Sequence, residues 1–276
     1  MGLVSSPAER TILNEAPKVV PPFPFSRFHR GLHMHASYRR SIAVLAICAI
    51  LAFLPAAPAE DKKGGWIQLF NGKDLTGWKI PNPPSGNFKS VKETKNDDGK
   101  VVAFVGVTKD DKDITLWQVK DGLIVGGGPA SHIFTETQAE DFQYRVEVKI
   151  NDKGNSGQYF RTKFEGGFPS GYEAQINATH GDAIKSGSLY PDGRTKLGKY
   201  KKDICVMDKA AILPDEFYTQ EVIAEGNHIQ IFVNGKKTVD FLDPESTYLK
   251  GHFALQGHDP GSIMTFKKVE YKPLKK

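Results

Sequence analysis

The chain has 276 residues, of which 39% are hydrophobic and 25% charged, a balance typical of soluble globular proteins and a length that suits one large β domain or two small ones. Its formal charge of +5 is unevenly spread, because residues 1–59 hold six Lys/Arg against two acids and leave the remainder at +1. A near-neutral body has no electrostatic footprint for nucleic acid or an anionic membrane, so partners held by charge alone are excluded.

In chain order, residues 1–33 are rich in Pro and Arg and carry no periodicity. They are expected to be a mis-called upstream start or a disordered extension, with Met34 as the natural beginning. Residues 34–59 then have the layout of a cleaved signal peptide. Arg39 and Arg40 precede an apolar run from Ile42 to Leu54, and Ala57-Pro58-Ala59 supplies an A-x-A cleavage site. The run is shorter than the roughly 20 apolar residues of a membrane span. The adjacent arginines leave the twin-arginine route open beside the general one. The expectation is an exported protein, periplasmic or extracellular, with no membrane attachment after cleavage. Cleavage removes Cys48 and leaves Cys205 as the sole cysteine, so no intrachain disulfide is expected and Cys205 reads as a half-buried structural thiol.

Strand signals dominate from there on. "GWIQLFNGKDLTGW" is a strand followed by Asn-Gly and Thr-Gly turn chemistry. Residues 81–100 lack periodicity and read as a loop. "VVAFVGV" (101–107) is a buried type of strand, and "WQVKDGLIVGG" (117–127) is a hairpin turning at Asp121-Gly122. "DFQYRVEVKI" (141–150) alternates strictly, with Phe142, Tyr144, Val146, Val148 and Ile150 on one face. "NHIQIFVNGKKTVDF" (227–241) is a hairpin turning at Asn234-Gly235, and "HFALQGH" and "SIMTFKKVEYKPL" close the chain as strands. No long window has helical periodicity. Many short strands with regular turns predict an all-β fold, a sandwich or jelly roll.

Residues i and i+2 of a strand share a face. That rule groups Tyr159 with Arg161, and Glu173 with Gln175 and Asn177, while Tyr172, Ala174 and Ile176 take the core side. In "HFALQGH", Phe253 and Leu255 look inward, and His252, Ala254, Gln256 and His258 share the other face. If the runs around 159 and 173 pair, Arg161 lies beside Glu173 or Gln175. Such a face is a polar platform of the kind that binds sugars through amides, carboxylates and guanidinium groups. It is equally the solvated outer face that every sandwich has, where an Arg–Glu pair contributes only about 0–1 kcal/mol. His132, His180 and His228 read as surface residues, and Trp66, Trp78 and Trp117 as core. The acidic runs "NDD" (96–98) and "KDDKD" (109–113) leave loose calcium ligation open, but neither has EF-hand spacing. No cofactor and no metal ligand set is predicted.

Six motifs in order, "WIQLFNGKDLTGW", "WQVKDGLIVGG", "NSGQYFR", "GYEAQI", "SGSLY" and "FALQGH", give the chain a resemblance to the 3-keto-disaccharide hydrolase domain family. The resemblance covers residues 64–273. It implies a concanavalin A-like jelly-roll β-sandwich of two antiparallel sheets, and a small carbohydrate as partner. The polar positions it implies are Asn155, Ser156, Arg161, Glu173, Gln175, Tyr190, Gln256 and His258, with Tyr159 on the same face as a further sugar contact. Hydrolysis of sugars already oxidised at C3 needs one base and one oxyanion partner, because the ketone acidifies the C2 proton. Glu173 or His258 is the expected base, and Arg161 the expected stabiliser of negative charge. "YEAQIN" carries one carboxylate where jelly-roll glycosidases of the laminarinase type carry E-x-D-x-x-E, which argues against a double-carboxylate mechanism. Residues 191–216 are longer and more basic than a simple connection and are expected to form a lid or a loop at the site rim. The competing function is a non-catalytic, lectin-like carbohydrate-binding module on the same fold, and a third is an envelope interaction protein. The sugar, the linkage and the oligomeric state are not readable from the sequence.

Overall fold

The structure, a computed structural model, describes residues 60–61 and 65–274. The expected upstream extension and signal peptide lie outside the described residues. The described chain begins with β1 (Glu60–Asp61), β2 (Trp66–Gln68), β3 (Trp78–Lys79), β4 (Phe88–Lys95), β5 (Val101–Thr108) and β6 (Asp113–Lys120). It continues through β7 (Leu123–Gly127), β8 (Ser131–Ala139), β9 (Phe142–Ile150), β10 (Asn155–Thr162) and β11 (Tyr172–Asn177). A 3-10 turn (Lys196–Tyr200) and the short α1 (Lys201–Ile204) precede β12 (Tyr218–Glu225), β13 (His228–Val233), β14 (Lys236–Leu242), β15 (Gly251–Gly257) and β16 (Ile263–Pro273). No helix among the described residues is long and apolar enough to cross a membrane.

The strands form two antiparallel sheets, the jelly-roll sandwich that the resemblance implies. The larger runs β14-β13-β12-β9-β16-β7-β6-β5-β4, with β2 beside the end of β16 and β1 beside β2. The smaller runs β11-β10-β15-β8-β3. The core lies between them. The apolar face of β9 is fully buried, and each such side chain contributes about 2 kcal/mol through removal from water. Phe142 meets Phe253 of the facing sheet edge-on at 4.8 Å, and Tyr144 lies 4.4 Å from the same ring. Both predicted hairpin turns form, with Asp121-Gly122 and Asn234-Gly235 all at positive φ.

Two expectations are corrected here. Residues 81–100 are not all loop, because β4 pairs with β5 along most of its length. Its side chains are exposed over most of the strand, so no apolar alternation marks it; it is a lysine-bearing edge strand. Trp78 and Trp117 are core, but Trp66 is half-buried and stacks under the Arg145 guanidinium at 4.1 Å. Cys205 is half-buried, as expected, and burial pushes its thiol up to about 11.

Candidate active site

The site lies on the face of the smaller sheet that looks away from the core. Every residue of β10, β11 and β15 is buried, so the polar face is not a solvated surface. A separate apolar cluster of Phe134, Tyr159 and Ala254 lies on this face. The antiparallel register sets Tyr159 opposite Glu173 and Gly157 opposite Gln175. On the other side of β10, β15 brings in Gln256.

These residues line a cleft of about 290 Å³. The Tyr159 hydroxyl donates to Glu173 Oε2 at 2.7 Å and accepts from Gln256 Nε2 at 3.1 Å. The rest of the Glu173 carboxylate lies over bare backbone, since a Cβ on Gly157 would stand 2.3 Å from Oε1. Burial raises the Glu173 carboxyl to about 8, with Asp192 and Asp182 adding to the rise and the hydrogen bonds from Tyr159 and Gln256 opposing it. Burial, then the Glu173 charge, holds the Tyr159 hydroxyl well above its ordinary range, so it keeps its proton and acts as a hydrogen-bond donor.

Three amide oxygens of the cleft, Asn155 Oδ1, Gln175 Oε1 and Gln256 Oε1, are buried without a partner among the described residues. Buried acceptors are normally satisfied, and hydroxyl donors of a ligand would satisfy these. His258 also lines the cleft, its Nδ1 at 2.8 Å from Asp259 Oδ1. A carboxylate can only accept, so this contact fixes the Nδ1 proton and the tautomer. Asp259 is itself held by a 2.7 Å bond from Ser262 Oγ. Tyr190 lines the wall, its hydroxyl donating to Asp182 Oδ2 at 2.9 Å.

Two predicted site residues are elsewhere. Ser156 points to the opposite face of β10, and its hydroxyl donates to the Gln256 carbonyl at 2.7 Å. Arg161 does not line the cleft. A bulge between Tyr159 and Thr162 breaks the two-residue period, and Arg161 takes a φ of 51°. Its buried guanidinium donates to the carbonyls of Glu140, Gly226 and Tyr248 at 2.6–3.1 Å. It is a structural clamp, and it cannot stabilise charge beside Glu173.

Other residues enter the site from loops. Phe168, Asp192 and Arg194 line the cleft. The 191–216 stretch was expected at the rim, and its 192–194 part is there. Burial would raise Asp192, but hydrogen bonds from Arg194 outweigh it and hold the carboxyl low. His132, expected on the surface, is fully buried beside the cleft, its ring edge-on to Tyr159 at 5.0 Å. Burial and the neighbouring His258 lower it to about 3, so it is neutral. His180 is half-buried at 5.8 Å from His258, and His228 is paired with Asp240. Among the described residues no group of three or more His, Cys, Asp or Glu is arranged to hold a metal ion.

The fold and site define a jelly-roll sandwich with a polar cleft, in which a buried carboxyl, tyrosines and unpartnered amides face space enough for a hydroxyl-rich ligand. Residues 65–272 match the 3-keto-alpha-glucoside-1,2-lyase-like domain, and the chain belongs to that family. Two solved structures, both from Parabacteroides distasonis ATCC 8503 and each described as a "putative glycosyl hydrolase", are similar to it. One is 23% identical with a TM-score of 0.51, covering 76% of this chain and 94% of its own. The other is 20% identical with a TM-score of 0.53, covering 76% and 99%. At these identities the likeness is one of fold. No curated protein matches the chain.

Proposed function

We propose that this protein cleaves 3-keto-glycosides, 3-keto-disaccharides among them, by elimination and hydration. The Glu173 carboxylate takes the C2 proton, and the C–H electron pair forms an enolate on the C3 oxygen. The C1–O bond then breaks, giving a C1=C2 enone and the free alcohol. Water adds across that double bond to release the 3-keto sugar. The observation that carries this reading is Glu173 itself, a buried carboxyl on the cleft floor whose pKa of about 8 suits a general base near neutral pH. With Arg161 outside the cleft and Asn155 Nδ2 turned toward His180 Nδ1 at 3.5 Å, the Gln175 side-chain NH2 is the donor toward the enolate oxygen. His258, oriented by Asp259, serves the leaving oxygen and then the added water.

The test is turnover of 3-keto-trehalose by the domain, followed as released monosaccharide with and without a chelator. Glu173→Gln is expected to lower kcat by about a thousandfold, the range that a positioned base supplies. The wild-type rate should climb with pH toward a plateau above about 8. Unchanged turnover in Glu173→Gln sinks the assignment. Sugar binding without product would point to the lectin-like alternative.

A further inference from the structure

We propose that Phe168 and the loop carrying it form a leaving-group subsite, so that the cleft prefers 3-keto-glycosides whose departing group is a ring, a second sugar or an aryl group, over those with a small alkyl group. The inference rests on the reading above and adds what lies beyond the scissile bond. Phe168 is 46% exposed yet lines the cleft. Its loop is held by bonds that do not involve the ring. Lys163 N–H donates to the Ser170 carbonyl at 2.9 Å, Gly167 N–H to the Pro84 carbonyl at 2.8 Å, and Ser170 N–H to Glu165 Oε1 at 2.5 Å. Arg194 crosses from the opposite loop and donates to the carbonyls of Phe168 at 2.8 Å and Pro169 at 3.1 Å. Asp192 fixes that guanidinium through Nε and Nη2 at 2.7–3.0 Å.

The backbone is therefore pinned while a large apolar ring is left in the cleft mouth, a preformed platform that needs little ordering on binding. Neither neighbouring ring lies flat on it, since His258 at 5.5 Å and His132 at 5.8 Å both meet it edge-to-face. Phe164 of the same loop differs. It packs edge-on against Phe134 at 5.2 Å, and Lys79 Nζ sits over its ring at 4.4 Å. The division of chemistry places the two halves of the substrate. Unpartnered amides and Glu173 on the sheet floor suit the polyhydroxylated keto ring. The aromatic rim beside His258 suits the C–H face of the group that departs. Arg194 commits four of its five N–H donors to Asp192 and two carbonyls, and Asp192 offsets its charge, so the subsite favours a ring over an anion.

The experiment compares kcat/KM for 3-keto-trehalose with that for methyl 3-keto-α-glucoside. In Phe168→Ala the ratio should fall about fivefold, within what one aromatic contact contributes, and Phe168→Tyr should restore it. Arg194→Ala should lower the ratio in the same direction by unpinning the loop, and Phe164→Ala should leave it alone. A ratio unchanged in Phe168→Ala, even with both rates reduced, overturns the proposal. If the wild type cleaves neither substrate, the lyase reading fails, and calorimetry of trehalose against methyl α-glucoside tests the subsite alone. A trehalose preference lost in Phe168→Ala supports it, and the absence of any preference in the wild type overturns it.

Discussion

Glu173 lies against Gly157 with no side chain between its carboxylate and the β10 backbone, and that contact sets both its position and its dryness. A methyl at 157 would fall 2.3 Å from Oε1 and 2.8 Å from Cγ, too close for either to stay. Gly157 keeps ordinary strand dihedrals, so alanine is tolerated by the backbone and the strain falls on Glu173. Gly157→Ala should therefore swing the carboxylate toward the cleft mouth and off the Tyr159 hydroxyl. The expected result is a kcat lower by about one to two orders of magnitude, as follows from misplacing a base by about an ångström. The pH midpoint should also drop below about 8, because a wetter carboxyl ionises more readily. A variant with the wild-type midpoint and rate would show that Gly157 does not position the base. The sequence put Glu173 and Gln175 on one face through the i, i+2 rule. It could not show that the face is buried, because the cover comes from loops without a period.

At the scale of elements, legibility followed how strictly one face is dry. β9 alternates because one side is core and the other half-wet, and it was readable to within a residue. β4 is wet on most of its length and gave no pattern. β10 was readable as a strand, but its bulge moved Arg161 off the face it nominally shares with Tyr159. Nothing in "GQYFRT" announces that bulge, since its cause is long-range. Three carbonyls from separate segments converge on one guanidinium. This makes Arg161 a stability determinant. Arg161→Ala should cost about 3 kcal/mol, because the buried guanidinium ties three segments together through charge-assisted hydrogen bonds that alanine cannot make. Arg161→Lys should recover little, since an ammonium cannot span the fork. Urea unfolding midpoints measure both. Activity per folded molecule should stay at the wild-type level, and a kcat loss without a stability loss would return Arg161 to the site.

At the scale of the whole molecule, the two-sheet fold was legible from alternation and turn residues. The cleft was half legible, as its floor is strand and its walls are the 163–171 and 190–195 loops. Two buried titratable groups beside that cleft tie function to stability. Between its ordinary 4.5 and about 8, folded Glu173 keeps a proton that the unfolded chain has released, so stability falls as pH rises through that window. His132 acts with the opposite sign. Between about 3 and its ordinary 6.5, the unfolded chain binds a proton that the folded ring refuses, so stability falls as pH drops. From 4.5 to 6.5 the two slopes oppose each other, and from 6.5 to 8 Glu173 acts without His132. Melting temperature should thus be flat in the first window and decline in the second by about 5 °C, from a loss of about 2 kcal/mol. Glu173→Gln should remove the upper decline and raise the melting temperature at pH 8, as it abolishes the ionised carboxylate that burial disfavours. A decline of the same size in Glu173→Gln would mean that another group carries it. The rise in rate and the fall in stability over pH 6.5–8 then come from one event, the loss of the Glu173 proton into a cleft too dry to solvate the charge.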